Sequence, residues 1–242
     1  MKARCWGIVP AAGVGQRMGA GMPKQYLTLR GRCLLDHSIS RLLSHPRLER
    51  IVVALAEDDP FWPHCEHAGH PRVLTVTGGV ERCHSVWNAL QVLAPLAKPT
   101  DWVLVHDAAR PCLRRSDLER LIATVEGDGV GGLLACPVRD TMKQANSECR
   151  VMATLPRETL WHAQTPQMFR LADLIHAIGQ TLAEDRTVTD EAQAMEAGGF
   201  QPGPLLVEGH ADNLKVTRPE DLALAAFYLE NPPDDHTDRP RL

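Results

Sequence analysis

Short apolar runs alternate with helix-period segments along most of the chain. Cys5 to Ala11, Arg50 to Ala56, Arg72 to Thr77, Trp102 to His106 and Gly131 to Val138 read as strands. Their near-continuous apolar character predicts burial on both faces, as in a parallel sheet. Between them, Val86, Ala89, Leu90 and Leu93 fall at i, i+3, i+4 and i+7, and Leu118, Leu121, Ile122 and Val125 repeat that spacing. This is the apolar stripe of a helix packed on a core. Ser116 with Glu119, and Thr217 with Glu220, have capping-box spacing at helix starts, and Pro219 is tolerated in a first turn. The alternation predicts an α/β fold, a Rossmann-like, mostly parallel sheet flanked by helices.

The pattern breaks between Pro137 and Arg157, a polar stretch containing Asn146-Ser147-Glu148. An extended β-arm or hairpin protruding from the sheet is the expectation there. From Asn231 onward the chain is rich in Pro and Asp without apolar period, which predicts a loose tail over 231–242. No repeat or linker interrupts residues 1–230, so a single domain carrying the arm at about 137–157 is expected.

Composition narrows the class. The 242 residues are 44% hydrophobic and 23% charged, with a formal net charge of −4. That describes an ordinary globular protein without the global basic field of a nucleic-acid binder. An acidic protein that binds a polyanion must concentrate positive charge locally. No run of about 18 or more apolar residues occurs, so no membrane span is expected, and the N-terminus enters a strand without a leader pattern. The seven cysteines (5, 33, 65, 83, 112, 136 and 149) are widely spaced, with no Cys-x-x-Cys pair. Reduced thiols in a cytoplasmic enzyme, mostly acting as small buried hydrophobes, fit better than disulfides or structural zinc.

The first strand runs into Ala12-Gly13-Val14-Gly15-Gln16-Arg17-Met18-Gly19. Two glycines let the backbone approach an anion so that successive N–H groups point at phosphate oxygens. A plain βα turn has the same look. The dinucleotide fingerprint fails at its third glycine, where Met18 stands, and the terminal Gly-Lys-Ser/Thr of a Walker A loop is absent. Arg17 and Lys24 supply a planar donor fork and a compact charge. Both can follow charge onto an α-phosphate and a departing pyrophosphate. Each also reads as a simple surface cation.

Pro10-Ala11-Ala12-Gly13-x-Gly15-x-Arg17-Met18 followed by Pro23-Lys24-Gln25-Tyr26 resembles the signature of the 2-C-methyl-D-erythritol 4-phosphate cytidylyltransferases. The resemblance recurs in order at His106-Asp107-Ala108-Ala109-Arg110-Pro111, Pro137 to Lys143, Trp161 to Gln167, Thr189-Asp190-Glu191-Ala192 and Asp212 to Thr217. It spans roughly residues 5 to 230. It implies a nucleotidyltransferase fold and in-line attack of a sugar-alcohol phosphate on the α-phosphate of CTP. The pathway implied is the non-mevalonate route to isoprenoids.

Asp107 follows a buried strand, where ligands of open α/β sheets bind, and a carboxylate there suits Mg²⁺ or a ribose hydroxyl. The resemblance places Asp107 near metal and acceptor with Arg110 beside it, and Asp212 is a second metal candidate. A divalent cation, Mg²⁺ or another, is thus the implied cofactor. His106 reads as structural, because a phosphate monoester is already anionic and needs no general base. The resemblance further assigns CTP to Ala11, Ala12, Gly13 and Gly15, with Gly78-Gly79 and Ser85 recognising cytosine. Lys215 is implied at the attacking and α-phosphates. Thr141 and Arg157, at the ends of the arm, are implied to complete the acceptor site of a partner in a homodimer. Thr189, near a helix start, is a further phosphate candidate.

His64-Cys65-Glu66-His67-Ala68-Gly69-His70 matches no zinc spacing and reads as a solvated loop or helix. Gln16 and Val80 stand where relatives carry a basic residue and an acid respectively. No second catalytic domain follows the arm, against a fused form carrying a later pathway enzyme. The competing readings are a ribitol 5-phosphate cytidylyltransferase, a nucleotide-binding regulatory module and, against the broken fingerprint, a dehydrogenase.

Overall fold

A computed structural model describes residues 3–13 and 22–231. The apolar runs become strands β1 (Cys5–Pro10), β4 (Leu48–Leu55), β5 (Val73–Thr77), β6 (Trp102–Val105) and β7 (Gly131–Pro137). With β10 (Trp161–Arg170) and β11 (Leu205–Glu208) they form one seven-stranded sheet, ordered β11-β7-β10-β6-β1-β4-β5. Every neighbouring pair is parallel except those made by β10, which runs antiparallel to both β6 and β7. The α/β expectation holds, with one reversed strand inside the sheet. β10 had no signal in the hydrophobic pattern, because polar residues are scattered through Trp161 to Gln167 and Pro166 interrupts its middle. A shift of register between Ala163 and Gln167 absorbs that irregularity.

Alternation along the strands divides the core. Val9, Val53 and Leu104 pack on one face with Ile39 and Leu42 of α1 (Leu34–Leu43) and Leu118, Leu121 and Ile122 of α3 (Arg115–Val125). Ile8, Val52, Val103 and Val105 face the other way, onto Val86 and Leu90 of α2 (Arg82–Leu93) and Leu174 and Ile178 of α4 (Leu171–Ala183). Leu104 is wholly buried, so Leu104→Ala would cost about 2–5 kcal/mol through lost transfer energy and the cavity left behind. α5 (Glu191–Ala197) packs on the second face, and α6 (Pro219–Glu230) closes a smaller cluster through Ala225.

Both capping boxes differ from expectation. α3 begins one residue before Ser116, with Arg114 as its N-cap and Glu119 paired instead to Arg115 at 2.8 Å. At α6 the capping side chain is Asp221, not Glu220. It accepts from the amides of Thr217 and Arg218 at 2.8 and 2.9 Å and from the Thr217 hydroxyl at 3.0 Å. One residue of frame decides which carboxylate reaches the exposed amides.

A short hairpin, β2 (Thr28–Leu29) and β3 (Arg32–Cys33), turns through Arg30 and Gly31, both at positive φ, the geometry of a two-residue turn. The polar stretch forms the expected arm, an antiparallel hairpin of β8 (Met142–Ala145) and β9 (Val151–Leu155). The Asn146 side chain accepts from the amides of Glu148 and Arg150 and closes its tip. Val151 and Met152 are 64% and 66% exposed on it. The sheet changes its winding direction between β1 and β6, whose C-terminal ends lead to Ala11 and to His106-Asp107. That is where an open α/β sheet offers a crevice.

Candidate active site

Asp107 leaves β6 almost fully buried, and three cations converge on it. Arg82 Nε lies 3.2 Å from Oδ1, while Arg110 Nε and Lys215 Nζ lie 3.4 and 3.0 Å from Oδ2. Burial opposes ionisation, but the charges of Arg82, Lys215 and Arg110 outweigh it and hold the carboxyl well below the usual range. Arg82 also grips Glu191 with its fork, Nη1 and Nη2 standing 2.6 and 3.0 Å from the two carboxylate oxygens. Arg110 is fixed by the carbonyls of Asn213 at 2.6 Å and Ala163 at 3.3 Å. The cluster therefore joins five separate stretches of chain.

Lys24 begins a 3₁₀ turn, Lys24–Tyr26, and its Nζ donates to the carbonyl of Val216 at 3.1 Å. The amide of Val216 in turn donates to the carbonyl of Ala109 at 2.8 Å, so Lys24 and Lys215 are held beside the Asp107 loop. Gln25 turns inward, and its Nε2 donates to the carbonyls of Ala11 at 2.7 Å and Gly13 at 3.0 Å. This side chain shapes the described rim of the glycine loop. Gly15 and Arg17 lie outside the described residues.

The second glycine pair abuts the first loop. A Cβ on Gly78 would sit 2.4 Å from the Cβ of Ala12 and 2.8 Å from Ser85 Oγ, so only glycine lets these segments touch. Ser85 Oγ accepts from the Gly79 amide at 3.1 Å and donates to the Glu81 carbonyl at 3.3 Å. Ala11, Ala12, Gly13, Gly79 and Ser85 thus come together at the end of β1.

His106 is structural. Its Nε2 lies 3.1 Å from the carbonyl of Arg110 and must donate, leaving Nδ1 to accept from the Thr165 hydroxyl at 2.9 Å. The Thr165 oxygen accepts in turn from the Asp107 amide at 3.0 Å. Complete burial pushes the imidazole down to about 4, so it stays neutral and props the loop.

The two metal candidates do not make a cage. Asp107 is taken by three cations, and Asp212 Oδ2 is held by Arg114 through both Nε, at 2.8 Å, and Nη2. Asp212 Oδ1 is buried without a hydrogen-bond partner. Neither belongs to any convergent group of three His, Cys, Asp or Glu ligand atoms among the described residues. The histidine-rich segment is not solvated throughout: Cys65 and His67 are buried. Cys33, Asp36 and Cys65 converge there, but Asp36 already accepts from Cys33, the amides of Glu66 and His67, and His67 Nδ1. It works as a hub for the loop. All seven cysteines are free, with only Cys149 exposed and Cys33 half-buried.

Within one chain, Thr141 and Arg157 are exposed, and the Arg157 guanidinium donates to the Arg139 carbonyl. Thr189 is exposed as well, its hydroxyl and amide both donating to Gln193 Oε1. Sequence reasoning missed Arg82, Glu191, Thr165 and Gln25. All four lie within the motif segments, Arg82 in the run from Gly78 to Ser85, yet nothing in a linear pattern shows which polar residue will be buried.

A family model described as 2-C-methyl-D-erythritol 4-phosphate cytidylyltransferase matches residues 5–231. The protein of that name from Pseudomonas putida strain F1 is 56% identical over 218 residues, covering 90% of this chain and 92% of its own. One from Vibrio vulnificus strain YJ016 is 51% identical over 227 residues, covering 94% and 95%. The solved structure of the Francisella tularensis 2-C-methyl-D-erythritol 4-phosphate cytidylyltransferase aligns with a TM-score of 0.81 at 35% identity, covering 93% of this chain and 99% of its own. No helix among the described residues is long and apolar enough to cross a membrane.

Proposed function

The chain belongs to the 2-C-methyl-D-erythritol 4-phosphate cytidylyltransferase family, and from that premise we propose that the Asp107 crevice is its CTP and acceptor site. The reaction joins CTP and 2-C-methyl-D-erythritol 4-phosphate into 4-diphosphocytidyl-2-C-methyl-D-erythritol, with release of pyrophosphate, in isoprenoid biosynthesis. The observation that carries the assignment is the convergence of Arg82, Arg110 and Lys215 on one buried carboxylate at the winding switch, with Lys24 held next to Lys215 through the Val216 carbonyl.

Base and triphosphate enter along Ala11, Ala12 and Gly13, with Gly79 and Ser85 beside the cytosine. Backbone donors and acceptors with one hydroxyl suit its exocyclic amine and carbonyl. An oxygen of the acceptor phosphate then attacks the α-phosphorus. The bond to the β-phosphate breaks in line, and the electron pair leaves on pyrophosphate. No general base is needed, and His106 has no nitrogen to spare. Lys24 and Lys215, with Arg17, balance charge that grows on the α-phosphate oxygens and leaving group. Arg110 and Thr189 face the acceptor side. Mg²⁺, carried by phosphate oxygens, would supply further charge compensation.

The arm points to a homodimer. A lone hairpin is marginal in water, and this one presents Val151, Met152 and Leu155 to solvent. Exchanged across a two-fold axis, it would bury them and deliver Thr141 and Arg157 to the partner's acceptor phosphate. Pyrophosphate release, measured with CTP and either 2-C-methyl-D-erythritol 4-phosphate or ribitol 5-phosphate, tests the substrate. Turnover only with ribitol 5-phosphate would overturn it.

A further inference from the structure

Arg82 and Glu191 take no part in the reaction as described, yet they form the best-made ion pair near the site. Glu191 is only 1% exposed, and burial pushes its carboxyl up while Arg82 opposes the rise. A single carboxylate can occupy only one edge of a guanidinium, so a pair serving only its own two members would leave Nε unused. Instead the fork takes Glu191, and Nε is turned to Asp107 Oδ1 at 3.2 Å. One planar cation thereby serves two carboxylates, a geometry that a lysine cannot reproduce.

The arrangement on Asp107 is asymmetric. Arg82 alone holds Oδ1, while Arg110 and Lys215 share Oδ2. The Lys215 side chain is 40% exposed, against 24% and 11% for the two arginines. Lys215 is the cation able to swing away. When it leaves, Asp107 keeps one positive partner on each oxygen and stays compensated. Without Arg82, Oδ1 would lose its donor, and the carboxylate would both retain Lys215 and repel an arriving phosphate.

Position adds a second role. Arg82 opens α2 directly after the Gly78–Glu81 turn, and Glu191 opens α5 directly after Thr189 and Asp190. Their pairing bolts the base side of the crevice to its acceptor side.

We propose that Arg82 is a positioning residue, which neutralises Asp107 so that Lys215 can turn to phosphate and which ties the base loop to the acceptor helix through Glu191. The inference rests on the CTP and acceptor site proposed above.

Its test is single-turnover and steady-state kinetics with CTP and 2-C-methyl-D-erythritol 4-phosphate, alongside thermal unfolding. The enzymes compared are wild type, Arg82→Gln, Arg82→Gln/Glu191→Gln, Asp107→Asn and Arg82→Gln/Asp107→Asn. The Arg82→Gln/Glu191→Gln enzyme removes both members of the buried pair and should melt near wild type. Its kcat should still fall roughly 30-fold or more, with the KM for CTP changed less than about threefold. In the Asp107→Asn background, adding Arg82→Gln should cost several-fold less than it does in wild type, because the carboxylate acted upon is already neutral and only the tie to Glu191 remains to be lost. Recovery of kcat together with stability in the paired variant would overturn the proposal. So would an undiminished Arg82 effect in the Asp107→Asn background. Absence of wild-type turnover would instead refute the functional reading, and this inference with it.

Discussion

The ammonium of Lys24 donates to the carbonyl of Val216 at 3.1 Å, which places it one residue along the chain from Lys215, whose own ammonium pairs with Asp107. The two lysines reach the crevice from opposite ends of the sequence. A triphosphate bound in the proposed site would meet both charges.

Lys24→Ala should therefore lower kcat by about 100-fold or more while changing the KM for CTP far less, because compensation of growing charge matters most in the transition state. Steady-state kinetics decide it. A rise in KM with kcat intact would remove Lys24 from the chemical step.

Arg157→Ala should impair the acceptor step. If the arm serves the partner's site, mixing Arg157→Ala with Lys24→Ala subunits should restore activity. Each hybrid dimer then carries one site with both residues intact, and random exchange would return roughly a quarter of wild-type activity. Activity no greater than the sum of the separate variants would rule out a shared site.

Gly78→Ala would drive a methyl group to 2.4 Å from the Cβ of Ala12 and 3.3 Å from the carbonyl of Leu55. Relief requires a backbone shift costing about 1–3 kcal/mol. The affinity for CTP, read by calorimetry, should fall about tenfold. Unchanged affinity would mean that Ala12 and Gly78 do not frame the base.

His106 predicts an acid sensitivity. Its imidazole is depressed from 6.5 to about 4 by burial, so both folded and unfolded chains hold it neutral above about pH 7, where its contribution is complete. As pH falls through 6.5 the unfolded chain takes up a proton that the folded one refuses. Stability then drops until the folded group also titrates near 4, a loss of about 3 kcal/mol. Urea midpoints of wild type and His106→Asn, compared between pH 8 and 5, should converge as pH falls. Parallel curves would show that His106 does not titrate in this way.

The central strands were legible because burial on both faces leaves an unbroken apolar run, and the arm because that pattern stops. β10 was not legible. Its place in the sheet comes from the neighbours β6 and β7, and a polar run containing proline gives no local sign of that pairing. The capping errors at Ser116 and Glu220 have a similar origin, since identical spacing fits several frames and only the helix axis selects one.

For the candidate site, the chain by itself supplied the glycine turns, Lys24 and Asp107 at a strand end, while Lys215 came from the family resemblance. The first three are local requirements of backbone approach and charge, written in residue type and short spacing. Which carboxylate meets which cation was decided by the tertiary structure. Arg82 finds Glu191 and Asp107, and Asp212 goes to Arg114, because burial makes every charge take the partner that folding brings within reach. Such pairings depend on distance in space, and spacing along the chain carries no record of it.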